Sequence, residues 1–124
     1  MNNTFLHVAL GGAIGSVARY GVNIMTTRLA PGLPWGTLTV NILGSLIMGL
    51  VAAWFALRGG QHLAPFVMTG VLGGFTTFSA FSLDTMTLWE RGDQMLALGY
   101  VFGSVMLSLA AIALGLSAGR ALLA

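Results

Sequence analysis

The chain has 124 residues, 56% of them hydrophobic and 6% charged, with a formal net charge of +2 from five arginines and three acids. So little charge excludes a soluble domain of this length, whose surface would need far more of it. The scattered arginines exclude the clustered basic stripe of a nucleic-acid binder, and the absence of cysteine excludes disulfides and thiolate sites.

Three stretches without a formal charge, 34–57, 59–83 and 94–119, each exceed the roughly 20 residues that carry a helix across about 30 Å of hydrocarbon. A fourth, 5–27, is broken only by Arg19. The reading is an all-α membrane protein, a single transmembrane domain over 1–124, with four helices at approximately 3–28, 34–58, 62–89 and 94–120. No basic n-region and no small-residue cleavage site mark the N-terminus, so the first stretch is expected to stay as a helix. Four crossings leave no room for a nucleotide-binding or soluble catalytic domain.

The first connection, Leu29-Ala30-Pro31-Gly32-Leu33-Pro34, is rich in turn formers, and Trp35 follows it where an indole suits the headgroups. The other two connections hold a few residues each, so neighbouring helices are expected to be antiparallel in a compact bundle with both termini on one side. Arg58 and Arg120 then mark one end, and Arg28 and Arg91 the other. With two against two, the positive-inside rule favours neither orientation. Either the chain inserts both ways round, which is the expectation, or something other than charge fixes one orientation.

In the first helix, Arg19 demands a partner, water or a route to the boundary. It either snorkels on its long stem or attracts anions at a vestibule. Gly11, Gly15 and Ser16, with Gly44, Ser45 and Gly49 in the second helix and Gly99 and Gly103 in the fourth, are small enough for close helix contact. In the second helix Thr37 and Asn41 are four apart on one face. The Asn41 amide needs partners at that depth, and helix adhesion and solute lining both supply them.

The third helix contains Gly70-Val71-Leu72-Gly73-Gly74-Phe75-Thr76-Thr77-Phe78-Ser79-Ala80-Phe81-Ser82. Adjacent glycines followed by hydroxyl residues suit a break near the midplane, which protein or a water-lined cavity must satisfy. A simple kink is the alternative. Phe78 and Phe81 share a face beyond the glycines, either as core packing or as ring edges offered to a small anion. In the fourth helix Tyr100, Ser104 and Ser108 follow one another at i, i+4. They form a polar track, or else each serine bonds its own preceding turn. His7 and His62 lie too far apart for a metal motif.

Gly11-Gly12-Ala13-Ile14-Gly15-Ser16-Val17-Ala18-Arg19-Tyr20, Gly36-Thr37-Leu38-Thr39-Val40-Asn41-Ile42-Leu43-Gly44 and the segment from Gly70 to Phe81 resemble the signatures of the first three helices of the small bacterial fluoride channels, the Fluc/CrcB family. Ala80 departs from the threonine that many members carry. The resemblance implies a multi-pass protein of the bacterial plasma (inner) membrane, an antiparallel dual-topology homodimer with two pores. It implies passive, fluoride-selective export, which lets fluoride trapped by dissociation of hydrogen fluoride leave the cytoplasm and gives fluoride resistance.

By the same resemblance, Phe78 and Phe81 line the anion path beside Asn41, with Ser104 and Ser108 on the polar track and Tyr100 near its mouth. Thr37, Thr77 and Ser79 are further donors that could replace fluoride's water. Arg19 matches a vestibule arginine. Gly73 and Thr76 match positions whose backbone carbonyls, from both subunits, hold a structural sodium ion at the dimer axis. The partners implied are fluoride, a second copy of the chain and the lipid bilayer, with no nucleic acid.

Other classes fit less. A cation-coupled multidrug transporter needs a carboxylate deep in its first helices, and Asp84 is the only acid outside the 90–93 turn. A purely structural membrane protein explains the glycines but not the polar lines. An enzyme fits least, since the sequence has no membrane-embedded carboxylate pair, no Ser/His constellation on one helix and no metal-ligand cluster.

Overall fold

Charge-free stretches of this length fold as helices because lipid leaves each backbone group to find its partner within the segment. A computed structural model describes residues 3–124. It contains four helical spans, α1 (Thr4–Leu29), α2 (Trp35–Arg58), α3 (Gln61–Glu90) and α4 (Gln94–Leu123). By length and composition α2, α3 and α4 can each cross a membrane. At 26 residues α1 spans about 39 Å, yet Arg19, Asn23 and its Thr26-Thr27-Arg28 end dilute its apolar content.

The expected arginine ends are present. Arg58 Nε donates to the Leu123 carbonyl at 3.2 Å, which joins the end of α2 to the end of α4. At the opposite end Arg91 pairs with Asp93 at 2.8 Å, and the same guanidinium reaches the Gly32 carbonyl at 3.5 Å. Between α2 and α3 the chain reverses at Gly59 and Gly60, whose φ values of 81° and 85° other residues rarely adopt.

The third span is not one helix. Its first part is a short 3-10 turn, Gln61–Leu63, then a π-wound stretch, Pro65–Leu72, then a single α turn, Gly73–Phe75. The chain opens at Thr76 (φ −91°, ψ 161°) and resumes as helix over Ser79–Glu90. The break therefore lies at 76–78, a few residues beyond the glycine pair to which the sequence pointed.

The glycines do something else. A Cβ on Gly15 would sit 2.0 Å from the Val71 carbonyl oxygen, and one on Gly74 would sit 2.7 Å from that of Gly12. Without those atoms, the backbones of α1 and the first half of α3 touch directly. A second seam closes α2 on α4, where a Cβ on Gly49 would meet the Ile112 carbonyl at 2.5 Å and one on Gly115 the Leu46 carbonyl at 2.2 Å. Gly99 and Gly103, expected to serve the same purpose, face open space in the single chain. The two seams hold α1 with the first half of α3 and α4 with α2, and the break lies between them.

Candidate functional site

Interrupting a helix releases backbone groups that membrane interiors cannot leave unpaired. Two neighbouring helices supply partners. The Asn41 amide of α2 exchanges two bonds with one residue of the break: its Nδ2 donates to the Thr77 carbonyl at 3.0 Å, and the Thr77 N–H donates to its Oδ1 at 2.8 Å. From α1, Arg19 Nε donates to the Gly74 carbonyl at 3.0 Å. That bond gives the half-buried arginine a backbone partner that neither snorkelling nor a vestibule role requires.

The hydroxyls of the break are also engaged. Thr77 Oγ1 accepts the Ala80 N–H at 3.1 Å, a helix cap, and lies 3.3 Å from Ser79 Oγ. Thr76 Oγ1 donates back to the Leu72 carbonyl at 2.9 Å. Among the described residues, no side-chain hydrogen bond reaches the carbonyls of Gly73, Phe75 or Thr76, whereas Arg19 and Asn41 take those of Gly74 and Thr77. They terminate the first half of α3, where the helix dipole leaves partial negative charge. Uncharged oxygens in such a place fit a hard monovalent cation. No group of three His, Cys, Asp or Glu gathers among the described residues, so side-chain metal ligation is not what this region offers.

Beside the break lies a cleft of about 310 Å³, with Thr76 in its wall. Asn41, Thr77, Phe78, Phe81, Ser104 and Ser108 all line it, so the second, third and fourth helices converge here. Phe81 is 9% exposed and Phe78 78%, with ring centroids 5.5 Å apart at an interplanar angle of 50°. Tilted rings of this kind can turn positive edges toward the cleft. Ser104 is 5% exposed, and its Oγ has no hydrogen-bond partner among the described residues. An isolated buried hydroxyl costs about 1–3 kcal/mol, which makes it a donor in want of an acceptor.

Tyr100, Thr37 and Ser79 stand outside this cleft. Tyr100 extends the aromatic file, 5.4 Å from Phe81, and its hydroxyl donates to Asp84 Oδ2 at 3.1 Å. Thr37 is buried nearby in α2, and Ser79 is exposed beside Thr77. Sequence reasoning gave Ser45 only a packing role and missed Met48 and Ile112 on the cleft wall. Ser45 continues the Thr37–Asn41 spacing by four and was findable on that ground. Met48 and Ile112 carry no signal apart from hydrophobicity.

The family described as CrcB-like protein, Camphor Resistance (CrcB), matches residues 6–116 of the chain. A fluoride-specific ion channel FluC from Paracoccus denitrificans is 71% identical over 124 residues, the whole of both chains. One from Ruegeria sp. is 55% identical over 122 residues, 97% of each chain. Another, from Agrobacterium fabrum, is 52% identical over 116 residues, 91% of this chain and 93% of that one.

Proposed function

This chain belongs to the CrcB-like fluoride channel family, and from that premise we infer that it is a fluoride-specific channel of the bacterial inner membrane. It is an ion channel and not an enzyme. Fluoride moves passively down its electrochemical gradient, outward from a cytoplasm in which it has been trapped. The observation that carries the reading from family to residues is the Ser104 hydroxyl, buried and unpartnered in a cleft walled by Phe81 and Asn41. Fluoride is small and strongly hydrated, so a pore must offer close donors in place of water. Ser104, Ser108 and the second N–H of the Asn41 amide can do so, with aromatic edges between them.

All four helices cross the bilayer, α1 included, because the bond from Arg19 Nε to the Gly74 carbonyl gives the one charge within its apolar stretch a partner. The functional unit is an antiparallel homodimer of chains inserted both ways round. Two features support it: the even division of arginines between the ends, and the exposure of Phe78, a pathway ring that a second copy would cover. The Gly73 and Thr76 carbonyls, which no side chain among the described residues engages, would hold a sodium ion between the copies. Its charge would join the subunits and add positive potential beside the anion paths. Arg19 and Tyr100 flank the path, with Thr37, Thr77 and Ser79 near its course.

Three experiments test this. In bacteria deprived of their own fluoride exporter, expression should lower cytoplasmic fluoride and restore growth. Unchanged accumulation would refute the export role. A C-terminal tag should be accessible from both sides of the membrane, and detection on one side alone would refute dual insertion. Anomalous scattering should locate one monovalent cation on the two-fold axis. A water there, indifferent to replacement of sodium, would refute the ion.

A further inference from the structure

We propose that Asn41 is a positioning residue that aims the backbone on both sides of the break, so that the cation end of α3 and the anion cleft are coupled through Thr77. The proposal rests on the sodium reading above. It starts from the pair of bonds between the Asn41 amide and Thr77, 3.0 Å to the carbonyl and 2.8 Å from the N–H.

A peptide unit is planar, and the chain contains no cis bond among the described residues. The Thr77 N–H and the Thr76 carbonyl belong to the same trans unit and point in opposite directions. When Thr77 turns its N–H toward α2, the Thr76 carbonyl must turn away from α2. The next unit obeys the same rule: with the Thr77 carbonyl held by Asn41 Nδ2, the Phe78 N–H is directed away. One amide thus sets the direction of a carbonyl proposed for sodium and the start of the segment that bears Phe78.

Other contacts reinforce the grip. Thr76 is extended, and its Cγ2 lies so near Gly44 that a Cβ there would be 2.3 Å away. Gly44 is three residues beyond Asn41, so one face of α2 holds the Thr76 side chain and the Thr77 backbone together. Thr77 Oγ1 caps the Ala80 N–H, which ties the same residue to the start of the second half-helix. Asn41 and Thr77 both line the cleft. The Asn41 Nδ2 has two hydrogens, and one is committed to the Thr77 carbonyl. A change at either end therefore bears on the same two peptide units, and such coupling is reciprocal for binding.

The test is the sodium dependence of thermal unfolding of the purified dimer, with sodium chloride replaced by N-methylglucamine chloride at constant ionic strength. The wild type should gain stability with sodium, and Asn41→Ala should weaken its apparent affinity at least tenfold. Ser104→Ala removes a hydroxyl that bonds neither Asn41 nor Thr77 and, with no fluoride present to bind the cleft, should retain the wild-type sodium affinity. A wild type indifferent to sodium overturns the sodium reading and this coupling with it. A sodium-dependent wild type with unchanged affinity in Asn41→Ala overturns the coupling alone. If Asn41→Ala does not fold, amide exchange in the wild type decides. The Thr77 N–H should be protected in sodium and exchange at least tenfold faster in N-methylglucamine, whereas rapid Thr77 exchange in sodium overturns the proposal.

Discussion

The third and fourth spans are of equal length, 30 residues each, yet they use their hydroxyl groups in opposite ways. The fourth is an unbroken helix that satisfies its own backbone, and its Ser104 hydroxyl has no partner among the described residues. The third is broken, and its hydroxyls bond its own backbone: Thr77 caps Ala80 at the break, while Thr76, Ser82 and Thr85 bond carbonyls one turn back. A continuous helix frees its side chains for a ligand, whereas an interrupted one recruits side chains, its own and its neighbours', to complete its backbone. Asn41 belongs to both groups, since it completes the break and lines the cleft.

The most damaging change should be Gly15→Val, because its Cβ would meet the Val71 carbonyl and its neighbouring backbone, where no side chain can yield. We expect a loss of roughly 4 kcal/mol or more, read as failure to recover a monodisperse species by size exclusion. A normal profile would mean that α1 does not need this seam to support the break. Next comes Asn41→Asp. An ionised carboxylate donates to nothing, would face the Thr77 carbonyl oxygen and would repel an anion. Fluoride flux should fall on the order of 100-fold, about 3 kcal/mol, in assembled protein.

Phe81→Ile keeps bulk and removes the ring edge, so flux should fall about tenfold with the oligomer intact. Ser104→Ala sharpens the contrast between the spans most cleanly. It should lower flux about fivefold while raising thermal stability by about 1 kcal/mol, since the unpartnered hydroxyl is removed. Ser82→Ala, the matching change in α3, should alter stability by less than about 0.5 kcal/mol and flux less than about twofold. Equal effects of the two serine changes would erase the distinction between a freed and an engaged hydroxyl.

The same distinction explains what the sequence disclosed. The charge-free stretches located the helices to within a few residues, because solvation by lipid is a property of each segment alone. Asn41, Phe78, Phe81, Ser104 and Ser108 drew notice through polarity or spacing along their own helices, which left their roles open; the resemblance placed them on one path, and the structure gathers them in one cleft. The position of the break was not. Gly73 and Gly74 drew attention to themselves, but the small size of Gly74 serves contact with α1, and the chain opens at Thr76 where Asn41 and Gly44 of another helix can hold it. The π-wound stretch Pro65–Leu72 likewise left no mark in the residue pattern. It accompanies the glycine seam with α1, a tertiary contact. Arg19 was singled out correctly as a residue needing a partner, but its partner is a carbonyl 55 residues away.

The most direct measurement is ion efflux from liposomes that contain the purified protein, with fluoride and chloride compared under equal gradients. Rapid loss of fluoride with chloride retained is the expected result. Chloride efflux at a rate matching that of fluoride would contradict a fluoride-selective channel.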